Sequence, residues 1–249
     1  MDVQDKPGQP STAEVLAEVN RRRTEADHLS EAQRGIVVLA DRFVFWLSKH
    51  WLAVFNTLAF LYVGLPVLAP ALMAIGVGGA ARVIYLVYDP LCNQLPQRSW
   101  FLFGPQVSYT LPELVPWIGD NPLASSFVGN AAVGYKMALC QRCMSIHGAI
   151  FIFGMLYALG RRYIRPLPIW AYIVFGLLPM AADGGFQFLS YAIPLILPSL
   201  PIAPYETTPF MRALTGVLFG LATVWLAYPY VQEAMDEFRE SLRRRRGWE

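Results

Sequence analysis

Between positions 51 and 77 the chain runs for 27 residues without an aspartate, glutamate, lysine or arginine. About 20 apolar residues in a helix cross the hydrocarbon core of a bilayer, so this run alone is long enough to span. A soluble protein of this length distributes charge over its whole surface. Here thirteen charged residues fall between positions 51 and 231, against fifteen in the first fifty positions. A chain that leaves its centre nearly uncharged faces lipid. The sequence therefore predicts an all-α integral membrane protein of about four transmembrane helices, with interfacial helices and an ordered outer loop.

Residues 1–34 form a polar region, read as disordered over 1–10 and helical from Ser11 or Thr12. No apolar core run follows a basic start here, so the first span is expected to direct insertion. Residues 30–50 mix Val37, Phe43 and Trp46 with Arg34, Asp41 and Lys49, the pattern of a helix lying at the interface. The membrane domain is 35–231, with spans expected at 51–77, 139–159, 169–187 and 212–231. Pro66 and Pro70 are expected to kink or end the first helix. The second has room to begin as early as Ala131. Residues 80–90 read as a short helix at the far interface. The proline-rich stretch 91–130 reads as a long ordered loop, of the kind that tends to carry function. Residues 189–200, interrupted by Pro194 and Pro198, read as a re-entrant or interfacial piece. A basic tail, 232–249, follows.

Orientation comes from lysine and arginine. With four spans, the head, the 161–165 turn and the tail share one side and hold fifteen of the twenty basic residues. The positive-inside rule then puts both termini in the cytoplasm of a multi-pass protein of the cell membrane. Arg243, Arg244, Arg245 and Arg246 suit anionic lipid headgroups rather than nucleic acid. The same orientation places Cys92, Cys140, Cys143, His147, Asp183 and Arg212 toward the outer face.

Those residues form two constellations. Cys140, Cys143 and His147 stand at i, i+3 and i+7, on one face of a helix, and Cys92 supplies a further soft ligand or thiol. Three cysteines and one histidine are a ligand set for zinc, with thiolate and imidazole favouring it over other metals. With four ligands the ion clamps the outer loop; with one spectator it keeps an open position. A redox reading stays beside it, because a C-x-x-C at a helix start lowers thiol pKa values. So does a plain structural one, since buried cysteine is a small apolar residue. The second constellation is Asp183 with Arg212, ionisable groups at membrane depth that call for partners. They form either a packing pair between spans or, with Arg98, the catalytic candidates of an anion-binding pocket in which Asp183 serves as base. Gly216-x-x-x-Gly220 reads as a helix-packing contact inside the fold.

Four elements in order carry a resemblance: Cys-x-Gln-x-Pro-x-Arg-Ser at 92–99, Cys-x-Arg-Cys-x-x-Ile at 140–146, Asp183-Gly184 with Gln187, and Arg212-x-x-Thr215-Gly216-x-x-x-Gly220. Over roughly residues 85–222 the chain resembles the prokaryotic membrane proteins grouped as domain of unknown function 2085. The resemblance implies architecture and a set of residues, not a reaction. The family pattern has histidine after the first cysteine and an aromatic four residues after the third, where this chain has Asn93 and His147. Exchanging one imidazole for another within the cluster keeps a set of three cysteines and one histidine, which favours metal over thiol chemistry.

Three functions follow as expectations. The first is a zinc-containing membrane protein with an adjacent Arg/Asp pocket for a lipid or other anionic small molecule. The second is a thiol-disulfide redox protein. The third is a non-enzymatic subunit packed against other membrane subunits. Whether the protein is an enzyme stays open at this stage.

Overall fold

A computed structural model describes residues 13–21 apart from 15 and 19, and 31–248 apart from 120, 122, 161–163 and 198–204. The expected disorder over 1–10 lies outside the described residues, as does the end of the 189–200 segment.

Among the described residues four helices are long and apolar enough to cross a membrane, the number expected. The first, α1, is Glu31–Ala74. Its bounds take in both the expected interfacial helix and the first span. Pro66 and Pro70 lie inside it without ending it, and both are fully buried. Within a helical bundle neighbouring groups can satisfy the carbonyls that proline frees. A short helix, α2, Gly78–Tyr88, follows, and a 3-10 turn, Asp89–Leu91, leads out of it.

The outer-loop region is more regular than expected. A second 3-10 turn, Pro96–Arg98, runs into strand β1, Ser99–Leu102. Helix α3, Leu111–Ile118, starts with a capping box in which the Thr110 backbone N–H donates to Glu113 Oε2 at 2.7 Å. Strands β2, Gly129–Asn130, and β3, Gly134–Cys140, complete a three-stranded antiparallel sheet in the order β1-β3-β2. Residues 131–140 are therefore not the first turns of the second span. That helix, α4, is Gln141–Gly160 and begins where β3 stops.

The third span is compound. A short α-turn, Ile169–Ala171, passes through a π-helical segment, Tyr172–Leu177, into α5, Leu178–Ile196. Pro194 lies inside α5, so the part of 189–200 that is described continues the span instead of re-entering. The last helix, α6, is Pro209–Arg246, and carries the expected basic tail as its final turns.

The chain divides into two compact units, Met1–Lys49 with Asp236–Glu249, and His50–Met235. In the first, Arg246 donates to Asp41 at 2.9 and 2.7 Å, and Phe45 meets Trp248 edge-on at 5.7 Å. In the second, two cores sit along the bundle. One gathers Trp51, Leu52, Tyr157, Val224 and Tyr228. The other packs Ala69, Ala81, Tyr85 and Tyr88 against Cys92, Ala138, Leu139 and Met144, joining α1 and α2 to the sheet and the start of α4. Phe55, Leu58, Phe60 and Leu61 of α1 remain exposed, as apolar side chains facing lipid do.

Helices α4 and α6 meet at the glycines. A Cβ at Gly216 would lie 2.8 Å from Ser145 Cβ, and one at Gly220 would lie 2.5 Å from the Ile146 carbonyl oxygen. Only glycine permits that approach, so Gly216-x-x-x-Gly220 is a contact within the fold.

Candidate functional site

The site stands where four segments converge: the turn after α2, the end of β3, the first turns of α4 and the start of α6. Pro90 opens the turn that follows α2, and the Cys92 N–H closes onto the Tyr88 carbonyl at 3.0 Å. Two residues on, Gln94 takes a left-handed conformation, φ 47°, unusual for a side chain without glycine's freedom. It is held there from both ends. Its Nε2 donates to the Tyr85 carbonyl at 2.7 Å, and its own carbonyl accepts from Lys136 Nζ.

Strand register brings the other thiols in. Ser99 pairs with Cys140, and Phe101 with Lys136. Cys140 is thus the last residue of β3 and Cys143 lies in the first turn of α4. The sulfurs of Cys92, Cys140 and Cys143 all lie within 4.8 Å of one another, with the cysteines free. The Cys140 backbone N–H donates to Cys92 Sγ at 3.3 Å. Hydrogen bonds from the Cys140 and Cys143 side chains hold the Cys92 thiol well below its ordinary range, against the opposing effect of burial. The start of α4 adds the positive end of a helix dipole to the same sulfurs.

His147 does not join them. Among the described residues the ligand group consists of the three cysteines. His147 sits one turn further along α4, its Nδ1 2.8 Å from the Cys143 carbonyl oxygen and its ring 4.5 Å from that of Tyr62. The expected single helical face is not formed, because Cys140 belongs to β3 and only Cys143 stands one turn before His147 on α4.

A cation stands behind the thiols instead. Lys136 is fully buried, and its Nζ donates to the carbonyls of Gln94 and Ser125. Burial pushes its ammonium down to about 7, opposed by negative charge at Cys92 and Asp89.

The charged residues pair differently from the expected Asp183–Arg212 contact. Asp183 takes Arg142, the residue inside the C-x-x-C, and its Oδ2 lies 3.4 Å from the Thr215 hydroxyl. Arg212, 3% exposed, pairs with Glu206, and also donates through Nε to Thr207 Oγ1 at 2.9 Å and through Nη1 to Gln141 Oε1 at 3.1 Å. Gln141 is itself wholly buried and donates to the Ser99 carbonyl at 3.2 Å, so one amide ties α4 to β1 and α6. Arg98 closes on the same Glu206, with Nε 3.1 and 3.0 Å from its two oxygens. Burial raises the Glu206 carboxyl, but the hydrogen bonds from Arg98 and Tyr191 and the charges of Arg98 and Arg212 outweigh it and hold the group below the usual range.

Parts of both constellations line one cavity of about 410 Å³, which has Cys92, Cys140 and Cys143 on its wall together with Arg98, Arg142 and Arg212, while His147 and Asp183 lie off that wall. Sequence reasoning missed Glu206, Lys136 and Gln141. Glu206 had a signal: it is the one acidic residue between positions 184 and 232, and a solitary charge among apolar residues calls for a partner.

The bundle and its site define a multi-span, all-α membrane protein with a trithiol cluster beside an arginine-lined cavity. Residues 129–226 match the model of the family described as Predicted membrane protein (DUF2085), the family whose motifs the sequence resembles. The match runs from β2 into α6 and takes in Cys140, Cys143, Asp183 and Arg212; Cys92 and Arg98 precede it. The chain is also 24% identical over 147 residues to an uncharacterized protein of Methanocaldococcus jannaschii, a stretch covering 59% of this chain and 67% of that protein. No solved structure matches the chain.

Proposed function

We propose that the three thiols hold a zinc ion whose remaining coordination position opens onto the arginine-lined cavity, and that the cavity receives a lipid or other anionic small molecule. One observation carries this reading: three sulfurs within 4.8 Å of one another share a cavity wall with three arginines. The donor set fits. Tetrahedral zinc takes Zn–S bonds of about 2.3 Å, so thiols already this close need only small adjustments to converge. When bound, the ion would polarise an oxygen of the ligand or hold the turn after α2 onto α4. The chain's own residues do the rest. Three thiolates around a dication leave one negative charge, which would favour the charged form of the buried Lys136, already in electrostatic contact with Cys92. Arg98 and Arg212 attract the anion, and the Arg142–Asp183 pair fixes the start of α4 against α5. The excess of basic residues in the head, the 161–165 turn and the tail supports a cell-membrane orientation with both termini cytoplasmic and the site on the outer face.

Metal analysis of the purified protein tests the reading. About one zinc per chain is expected for a single site, lost in Cys143→Ser and in Cys92→Ser and kept in His147→Ala. A protein that carries no metal and contains a reducible disulfide would instead be a thiol redox protein. Metal present without any anion binding would leave a clamp in a structural subunit.

A further inference from the structure

We infer that Glu206 is the chain's own occupant of an oxyanion subsite built by Arg98, Gln187, Tyr191 and Arg212, and that a phosphate group of the ligand takes its place. The inference rests on the anion-binding reading above and deepens it.

The carboxylate is supplied with more donors than it needs. Six contacts reach its two oxygens: three from Arg98, one from Arg212, one from Gln187 Nε2 at 2.7 Å and one from the Tyr191 hydroxyl at 2.6 Å. A carboxylate offers about four lone-pair sites. The four donors come from the turn before β1, from α5 and from α6, elements that have no other reason to aim at a single point. Arg98, Gln187 and Arg212 also line the cavity that contains the sulfurs, so the donors that hold Glu206 are the ones an anion in the cavity would meet.

Glu206 is not what anchors its loop. The neighbouring Tyr205 N–H donates to Ser190 Oγ at 2.9 Å, and the Tyr205 ring stacks edge-on with Phe186 at 5.2 Å. On the other side, Thr207 Oγ1 accepts from Arg212 Nε. None of these contacts involves the carboxylate. Burial differs too: the Glu206 side chain is 31% exposed, whereas that of Arg212 is 4% exposed. Arg212 and Gln187 are sunk, whereas Arg98, Tyr191 and the carboxylate itself lie toward the accessible edge.

Charge selects the ligand class. Arg142 is balanced by Asp183, but Arg98 and Arg212 together face one carboxylate. A dianion balances them and a carboxylate does not, so the subsite favours a phosphate monoester over a carboxylic acid. Phosphatidic acid and a soluble phosphate ester share this chemistry.

The test uses the full chain in phosphatidylcholine nanodiscs, titrated with inorganic phosphate by calorimetry, beside discs doped with phosphatidic acid and read by melting temperature. Glu206→Gln should bind phosphate at least about tenfold more tightly than wild type, as removal of a tethered competitor predicts. Adding Arg98→Gln to it should abolish the gain. Stabilisation by doped discs with little response to free phosphate assigns the subsite to a lipid headgroup, and the reverse assigns it to a soluble ester. Binding by wild type that Glu206→Gln does not strengthen overturns the role of Glu206 while leaving the anion pocket standing. Absence of binding by both proteins to both probes overturns the pocket itself. If Glu206→Gln melts early and phosphate does not restore it, the carboxylate is a structural partner and the inference fails.

Discussion

Arginines occur in two settings in this protein, and the contrast shows where charge does something beyond solubilising. In the terminal unit, Arg239 pairs with Asp236 and Arg244 with Glu240, three and four residues apart on one helix face, with Arg244 78% exposed. Arg246 reaches Asp41 across that unit. Around the cavity, Arg98 meets a partner 108 residues away and Arg142 one 41 residues away, while Arg212 bonds to Gln141 across 71 residues. Local pairs of the first kind form in an isolated helix and contribute little. Pairs of the second kind exist only once the bundle is assembled, and each takes ions out of water.

The contrast breaks first at Arg212. Arg212→Leu leaves Gln141 Oε1 and Thr207 Oγ1 without their donor and Glu206 with Arg98 as its remaining cation, and should destabilise the protein by about 3 kcal/mol, the range for removing one member of a buried pair, measured by denaturation in detergent micelles. A loss below 1 kcal/mol would place Arg212 with the tail arginines. Gly220→Val should come next, at roughly 2 kcal/mol or more, because the new side chain meets the Ile146 backbone. A double-mutant cycle of Arg142→Gln and Asp183→Asn should give a coupling of about 1.5 kcal/mol for a largely buried, charge-assisted pair; zero coupling would make it an incidental contact. Arg244→Gln, which breaks an exposed pair four residues apart, should shift stability by no more than about 0.5 kcal/mol.

Acid provides the finest distinction. Glu206 is held below its unfolded value, so its stabilisation is present above about pH 4.5 and is lost as the pH falls through the depressed folded value. The stability curve of Glu206→Gln should therefore be flatter than that of wild type below pH 4.5. Identical acid limbs would mean that the carboxylate is solvated in the native state.

The sequence made the bundle legible because lipid imposes a simple rule: long uncharged runs become helices. It failed where that rule stops. Gly134-Tyr135-Lys136-Met137-Ala138-Leu139-Cys140 is a short apolar run ahead of a helix, and such runs do not distinguish strand from helix by periodicity. Its partner strand lies some 35 residues upstream, beyond any local signal. Pro66, Pro70 and Pro194 misled for the opposite reason, since a packed bundle overrides a local breaker. At the site, the thiols were legible from residue type and spacing, and they do converge. His147 shares a face of α4 with Cys143 alone, because Cys140 ends strand β3 and Cys92 lies in the turn after α2. Arg212 and Asp183 were recognised as costly charges, but which acid each arginine takes depends on the α5–α6 connection, where Glu206 lies.

The glycine seam between α4 and α6 bears on how the cavity can change size. With hydrogen where side chains would stand at Gly216 and Gly220, the two helices behave as one beam, carrying the C-x-x-C at one point and Arg212 at another. The spacing between sulfur and guanidinium is then a fixed gauge. Helix α5 touches this end of the beam through longer side chains, Asp183 to Arg142 and Gln187 to the Glu206 that Arg212 also holds. Lower down, Gly176 of the π-helical segment presses directly on Ala222 of α6. The third span is thus seated backbone-close at one point and held through partly buried side-chain pairs at the other.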